Sequence, residues 1–178
     1  MRIVSVDPGK WNLPLAVWQD SVLMHCCLSR VTPGPGLLTA DIARLHHSRL
    51  AQIVPLPVDA AYIEQLSLNS GRDKTRGKAI STGNALLEIT SIAALVAGHF
   101  HAPIEYVPVR TWLGTATPTV TRNRVRATLS ALELAILNEA IDALPHRKGK
   151  ESSLAHNIYD SVGLGLYAVG RYRPGRAA

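Results

Sequence analysis

The feature that most constrains the fold of this chain is a change in the period of its apolar residues. The first thirty residues hold three short apolar runs separated by turns, and from Leu37 onward apolar residues recur at helical spacing. Arg2 to Asp7 alternates inward apolar and outward polar residues and breaks at Pro8-Gly9, the pattern of a strand closing in a tight turn. Leu13–Gln19 and Ser21–Ser29 carry β-branched and aromatic members and meet near Asp20, which predicts an antiparallel meander. A helix is predicted from Leu37 to Ile53, stopped by Pro55 and Pro57. Ala60 to Glu64 (AAYIE) then reads as a buried strand, parallel to its neighbour because a helix precedes it.

Further along, Gln65–Lys78 is a polar, basic loop, Ala79–Phe100 a helix rich in small and apolar residues, and Ile104–Val107 a strand. Pro108 predicts an extended exit into Val109–Trp112. Thr121–Leu144 reads as one helix with Thr121 as N-cap, and Ser152–Gly170 as a last helix capped by Ser152 or Ser153. The order predicts an α/β fold in one domain, 1–178: a mixed five-stranded sheet, three antiparallel strands then parallel ones, flanked by helices.

Composition narrows the function classes. No run of about eighteen apolar residues is present, so no membrane span is expected, and no leader-like segment opens the chain. Cys26 and Cys27 are adjacent, which excludes an unstrained bridge between them and fits a cytoplasmic protein. Lys and Arg outnumber Asp and Glu by 19 to 13, a formal charge of +6, which suits a polyanionic partner. The basic residues cluster: Arg72, Lys74, Arg76 and Lys78; Arg122, Arg124 and Arg126; Arg147, Lys148 and Lys150. Each cluster alone is as readily a solvated face; three clusters flanking candidate acids favour nucleic acid.

Those acids are Asp7 closing the first strand, Glu64 closing the fourth, and Asp160 inside an apolar helix. On neighbouring parallel strands Asp7 and Glu64 would stand about 5 Å apart. Like charges that close repel and raise one another's pKa unless a cation joins them, and Mg²⁺ or Mn²⁺ suits hard oxygen ligands. Two such ions about 4 Å apart activate a water and stabilise the leaving oxygen in phosphodiester hydrolysis. Taken singly, Asp7-Pro8-Gly9 is ordinary turn chemistry, whereas an acid in an apolar helix needs a partner.

Taken together, IVSVDPGKWNLPLAVW, AYIEQL, YVPVRTW (Tyr106 to Trp112) and AHNIYDSVGLGLYA resemble, in order and spacing, the RuvC-type Holliday junction resolvases of the ribonuclease-H-like superfamily. The resemblance spans almost the whole chain. It implies a homodimer that makes paired nicks at four-way DNA junctions with Mg²⁺ or Mn²⁺, two ions per site, leaving 5′-phosphate and 3′-hydroxyl ends. Asp7, Glu64 and Asp160 would then be metal ligands. Where the family has a further acid or a histidine one turn before the last aspartate, this chain has Asn157, with His156 beside it. Both share the Asp160 side of the helix; Asn157 is the alignment-preferred position, natural or engineered, and His156 the better base.

Other departures concern DNA contact. After Glu64 only Leu66 and Leu68 are available to probe base pairs, unless they simply cap the core. Leu113 stands where the family often has lysine after its Trp, so Arg110 or Arg122 would supply the positive charge at the developing phosphorane, Arg122 being preferred. No nucleotide cofactor is expected: Gly71–Lys78 has the wrong glycine spacing and Ala79 where Ser or Thr is required, and Gly163-Leu164-Gly165 lies inside a helix, where it permits close packing. His46 and His47 point to different helix faces, which disfavours a metal site. The alternatives are a nuclease for RNA:DNA hybrids or branched DNA broadly, and a catalytically weak junction-binding protein.

Overall fold

The structure, a computed structural model, describes residues 1–54, 57–65, 82–145 and 151–172, without the side chains of 82–86. Its elements are β1 (Arg2–Val6), β2 (Asn12–Gln19), β3 (Val22–Arg30), α1 (Thr39–Ile53), β4 (Ala60–Gln65), α2 (Thr82–Phe100), β5 (Ile104–Pro108), α3 (Val109–Trp112), α4 (Pro118–Thr128), α5 (Ala131–Asp142) and α6 (Ala155–Ala168). The strands form one sheet in the order β3-β2-β1-β4-β5. β1, β2 and β3 pair antiparallel, while β4 pairs parallel with both β1 and β5. Asp20 and Ser21 both adopt positive φ, 50° and 68°, the two-residue turn whose twist matches a hairpin.

Side-chain alternation sorts the sheet into two cores. Val4, Val6, Leu15, Ala61 and Ile63 face one side and pack with α1 and α2 around Ile42, Leu50, Val96 and Phe100. Ile3, Ala16 and Trp18 face the other, against α3 to α6, with Trp112, Val125, Leu137, Ile158 and Val162. The expected outward polar face of β1 is therefore absent: Ile3, Val4, Ser5 and Val6 are all buried, because this central strand has helices on both sides.

Three local expectations change. Thr121–Leu144 is two helices, broken at Leu129-Ser130. Thr117 caps the first, and Ser130 caps the second through a reciprocal box: its hydroxyl accepts from Glu133 N, and the Glu133 carboxylate accepts from Ser130 N. Val109–Trp112 is a helical turn rather than extended chain, because Pro108 is extended and serves as its N-cap. The last helix starts at Ala155; Ser152 lies before it, donating to Pro145 O at 2.8 Å and accepting from Leu154 N. Cys26 and Cys27 are free thiols, and no helix among the described residues is long and apolar enough to cross a membrane.

Candidate active site

Two strand ends and one helix converge on a single edge of the sheet. Val6 pairs with Ile63 in the parallel ladder, so the next residues, Asp7 and Glu64, stand level at the ends of adjacent strands. By strand parity Asp7 follows Ile3 and Ser5, and Glu64 follows Ala60 and Tyr62, so both acids face the α6 side. The turn after Asp7 is tightly built. A Cβ on Gly9 would meet Asn12 O at 2.3 Å, so only glycine fits. His46, buried on α1, holds the same turn: its Nε2 donates to Lys10 O at 3.0 Å, and its Nδ1 accepts from Ser29 Oγ at 2.8 Å. His46 is thus a structural histidine, and His47 lies instead against His99.

α6 is drawn close to β1 by what it lacks. A Cβ on Gly165 would sit 2.0 Å from Trp18 Nε1, and one on Gly163 2.8 Å from Trp112 Cζ3. This is the close packing expected of these glycines. Ser5 Oγ donates to Ser161 O at 2.8 Å while accepting from Trp18 Nε1. Asp160, the residue before Ser161, is thereby carried to the edge occupied by Asp7 and Glu64.

The three carboxyls behave as one electrostatic unit. Burial, then the charges of Asp7 and Asp160, push Glu64 up to about 8, against a hydrogen bond from Trp112 Nε1 that opposes the rise. Asp160 is raised to about 7 by burial and by Asp7. Asp7 is raised to about 6 by burial, with the positive charge of His156 opposing. Protons hold this cluster together near neutrality, which is the role a cation takes over when one binds. Among the described residues no group of three His, Cys, Asp or Glu side chains is gathered tightly enough to cage an ion as it stands. The donor chemistry, hard carboxylate oxygens, is of the kind that suits a divalent cation such as Mg²⁺ or Mn²⁺.

At the fourth position the two candidates separate. Asn157 Nδ2 donates back to Leu154 O at 3.2 Å, which uses its amide nitrogen and leaves Oδ1 as the atom a cation would take. His156 is exposed, and its charge reaches Asp7. Its Nδ1 lies 2.7 Å from Ser153 O, a carbonyl that can only accept, so Nδ1 carries the proton and Nε2 is left as the free lone pair of the neutral ring.

The basic candidates are dispersed. Arg122 lines a cleft of about 180 Å³ with His156 and Asp160, where its Nη1 lies 2.6 Å from Glu151 Oε2 and its guanidinium lies over the Tyr159 ring. Arg124, two residues on and some 200° around α4, projects elsewhere. Arg110 is exposed on α3. Leu66, Leu68, Arg72, Lys74, Arg76, Lys78, Arg147, Lys148 and Lys150 lie outside the described residues. Sequence reasoning missed Trp112 as a donor to Glu64 Oε2, 3.1 Å away, although the indole was in view within YVPVRTW. It also missed Glu151 as the partner of Arg122, for which no local signal exists.

Among solved structures, the chain is similar to the fowlpox virus Holliday junction resolvase at 17% identity and a TM-score of 0.52, over 96% of this chain and 98% of that one. The fold is ribonuclease-H-like. Two structures of Thermus thermophilus RuvC also align with this ribonuclease-H-like chain. One is in complex with Holliday junction substrate, at 13% identity over 98% of this chain and 99% of that one. The other is at 17% identity over 98% and 100%, and both have a TM-score of 0.49. No family model and no curated protein matches the sequence. Within the ribonuclease-H-like sheet, the acid cluster sits at the C-terminal ends of β1 and β4, where open α/β sheets characteristically bind ligands.

Proposed function

We propose that this chain is a metal-dependent endonuclease that resolves four-way DNA junctions. The observation that carries the reading is the convergence of Asp7, Glu64 and Asp160, brought to one edge by two parallel strands and a helix, where the charges of Asp7 and Asp160 help raise Glu64 and that of Asp7 helps raise Asp160. Buried carboxylates in that state call for a divalent cation, and Asp7, Glu64 and Asp160 are the residues that would hold it. A pair of Mg²⁺ or Mn²⁺ ions supplies an activated water and stabilisation of the leaving oxygen. The chain's own residues orient and tune that chemistry. Trp112 holds Glu64 by its indole N–H, His156 offers Nε2 to a proton beside Asp7, and Arg122 carries positive charge in the cleft beside Asp160. The fold shared with the fowlpox virus resolvase and the motif order support junction DNA as substrate.

A homodimer belongs to the same reading, since two sites related by a two-fold axis suit a four-armed substrate. α2 is the candidate interface: Leu87 and Leu95 are exposed on it at 68% and 52%, with exposed Ala94 beside them. The rival reading, a weak junction binder, draws on the neutral amide of Asn157 where a carboxylate would strengthen the metal site.

The test is incubation with a synthetic four-way junction, a matched duplex and an RNA:DNA hybrid, each with Mg²⁺, Mn²⁺ or chelator. Junction cleavage that needs metal and falls at least about 100-fold in Asp7→Asn is expected. Cleavage that survives Asp7→Asn overturns the mechanism, and preference for the hybrid overturns the substrate. Asn157→Asp is expected to raise Mg²⁺-supported turnover severalfold.

A further inference from the structure

Among the described residues stand two arginine–glutamate pairs of opposite character, and the contrast assigns one of them a task. In the first, Glu133 is almost wholly buried and accepts from Leu23 N, Ser130 N and both terminal nitrogens of Arg171. Arg171 also donates to Ser21 O and Thr128 O. Backbone groups on both sides make that pair a fixed tie between the hairpin, α4, α5 and the end of α6. In the second, Arg122 and Glu151 are 45% and 30% exposed, and among the described residues no backbone group is bonded to either side chain. Glu151 has one other partner, the Tyr159 hydroxyl, which donates to it at 3.1 Å. That hydroxyl is held independently, accepting from Arg126 Nη1 at 3.1 Å, and Arg126 also reaches Asn138 Oδ1 at 2.9 Å. If Arg122 turned away, Glu151 would keep Tyr159 and Tyr159 would keep Arg126. The Arg122 bond can open and leave every other hydrogen bond in this chain of contacts in place.

A carboxylate and a backbone phosphate each present the guanidinium fork with a pair of anionic oxygens, so a phosphate can take the carboxylate's place. The cleft that holds the pair also contains Asp160 and His156. We propose that Arg122 is a phosphate-binding residue for the DNA backbone next to the scissile bond, and that Glu151 is its internal stand-in, displaced when a backbone phosphate enters the cleft. The inference rests on the reading of the chain as a DNA nuclease. In the free protein Glu151 neutralises the guanidinium; on binding, the exchange ties entry of a phosphate to release of that carboxylate.

The test is a double-mutant cycle on DNA affinity, read by fluorescence anisotropy across a salt series in chelator, with thermal unfolding of each variant to show that it folds. Glu151→Gln keeps the shape and the Tyr159 contact but competes poorly for Arg122, so it is expected to lower the Kd for the junction severalfold. Arg122→Ala is expected to raise the Kd and to flatten the slope of log K against log salt by about 0.9, one phosphate contact. Arg122→Lys should restore most of that slope. In the Arg122→Ala background, Glu151→Gln should change nothing. Equal gains from Glu151→Gln in both backgrounds, or no gain in either, overturn the stand-in. Wild-type junction cleavage, measured alongside, keeps the two readings apart. A protein that cleaves junctions but shows an additive cycle loses the stand-in alone. One that shows the coupling on plain duplex and never cuts the junction loses the junction reading alone, and one that binds no DNA loses both.

Discussion

Glu64 carries the largest rise of the three acids, up to about 8, and every neighbour that raises it is another part of the same site. In the metal-free protein each of the three carboxyls binds its proton more tightly folded than unfolded. Their contribution to stability is therefore fully present below about pH 4 and is lost as pH rises through about 6, 7 and 8. The melting temperature in chelator is expected to fall between about pH 5 and pH 8.5, with Mg²⁺ or Mn²⁺ reversing the fall and releasing protons as it binds. Asp160→Asn should flatten that dependence. A chelated protein whose melting point is indifferent to pH in this window, or rises across it, contradicts the coupling. These acids were legible because each closes a strand or interrupts an apolar helix. Their shared edge was legible only on condition that the first and fourth strands are neighbours, since the register that sets Val6 opposite Ile63 is encoded by no local pattern.

The position of the site is decided by how closely α6 lies on the sheet. Gly165 stands under the Trp18 indole with no room for a methyl group, so Gly165→Ala must displace either the indole or the helix. We expect a loss of about 1–3 kcal/mol in stability, read by denaturant unfolding, and a larger proportional loss of cleavage because Asp160 moves with the helix. Unchanged turnover in that variant would show that the helix can shift without disturbing Asp160. Element boundaries were legible where a cap or breaker stands alone. They failed at Ser130, where the signal S-x-x-E was present but hidden by helical periodicity running through it on both sides. They failed again at Pro108, which fixes its own extended conformation but leaves the residues after it free to coil into α3.

For the whole molecule, the mixed sheet, antiparallel then parallel, and its flanking helices followed from the switch between strand and helix periods, because a parallel strand needs a crossover helix on one face; the order of the strands is seen only in the fold. The pattern underestimated burial: both faces of β1 are covered, which the placement of helices on two sides reveals. Assembly is a question at this scale as well. If the exposed leucines of α2 form the contact between two copies, Leu95→Glu should shift the mass in solution, measured by light scattering, from dimer toward monomer. Paired incision of a junction should then become single nicking. A wild-type chain that is monomeric at every concentration tested would exclude the proposed interface.

The Trp112 indole touches two of the elements that carry the acids, lying on α6 at Gly163 and donating to Glu64 of β4. An emitting ring 3.1 Å from a carboxylate oxygen senses any change in that oxygen's charge, so the protein contains its own optical indicator of site filling. Titration with Mg²⁺ should alter the intrinsic fluorescence and Mn²⁺ should quench it, with midpoints that match those for cleavage. Trp112→Phe should silence the response while Trp11 and Trp18 still emit. A signal that survives this substitution would place the ion elsewhere.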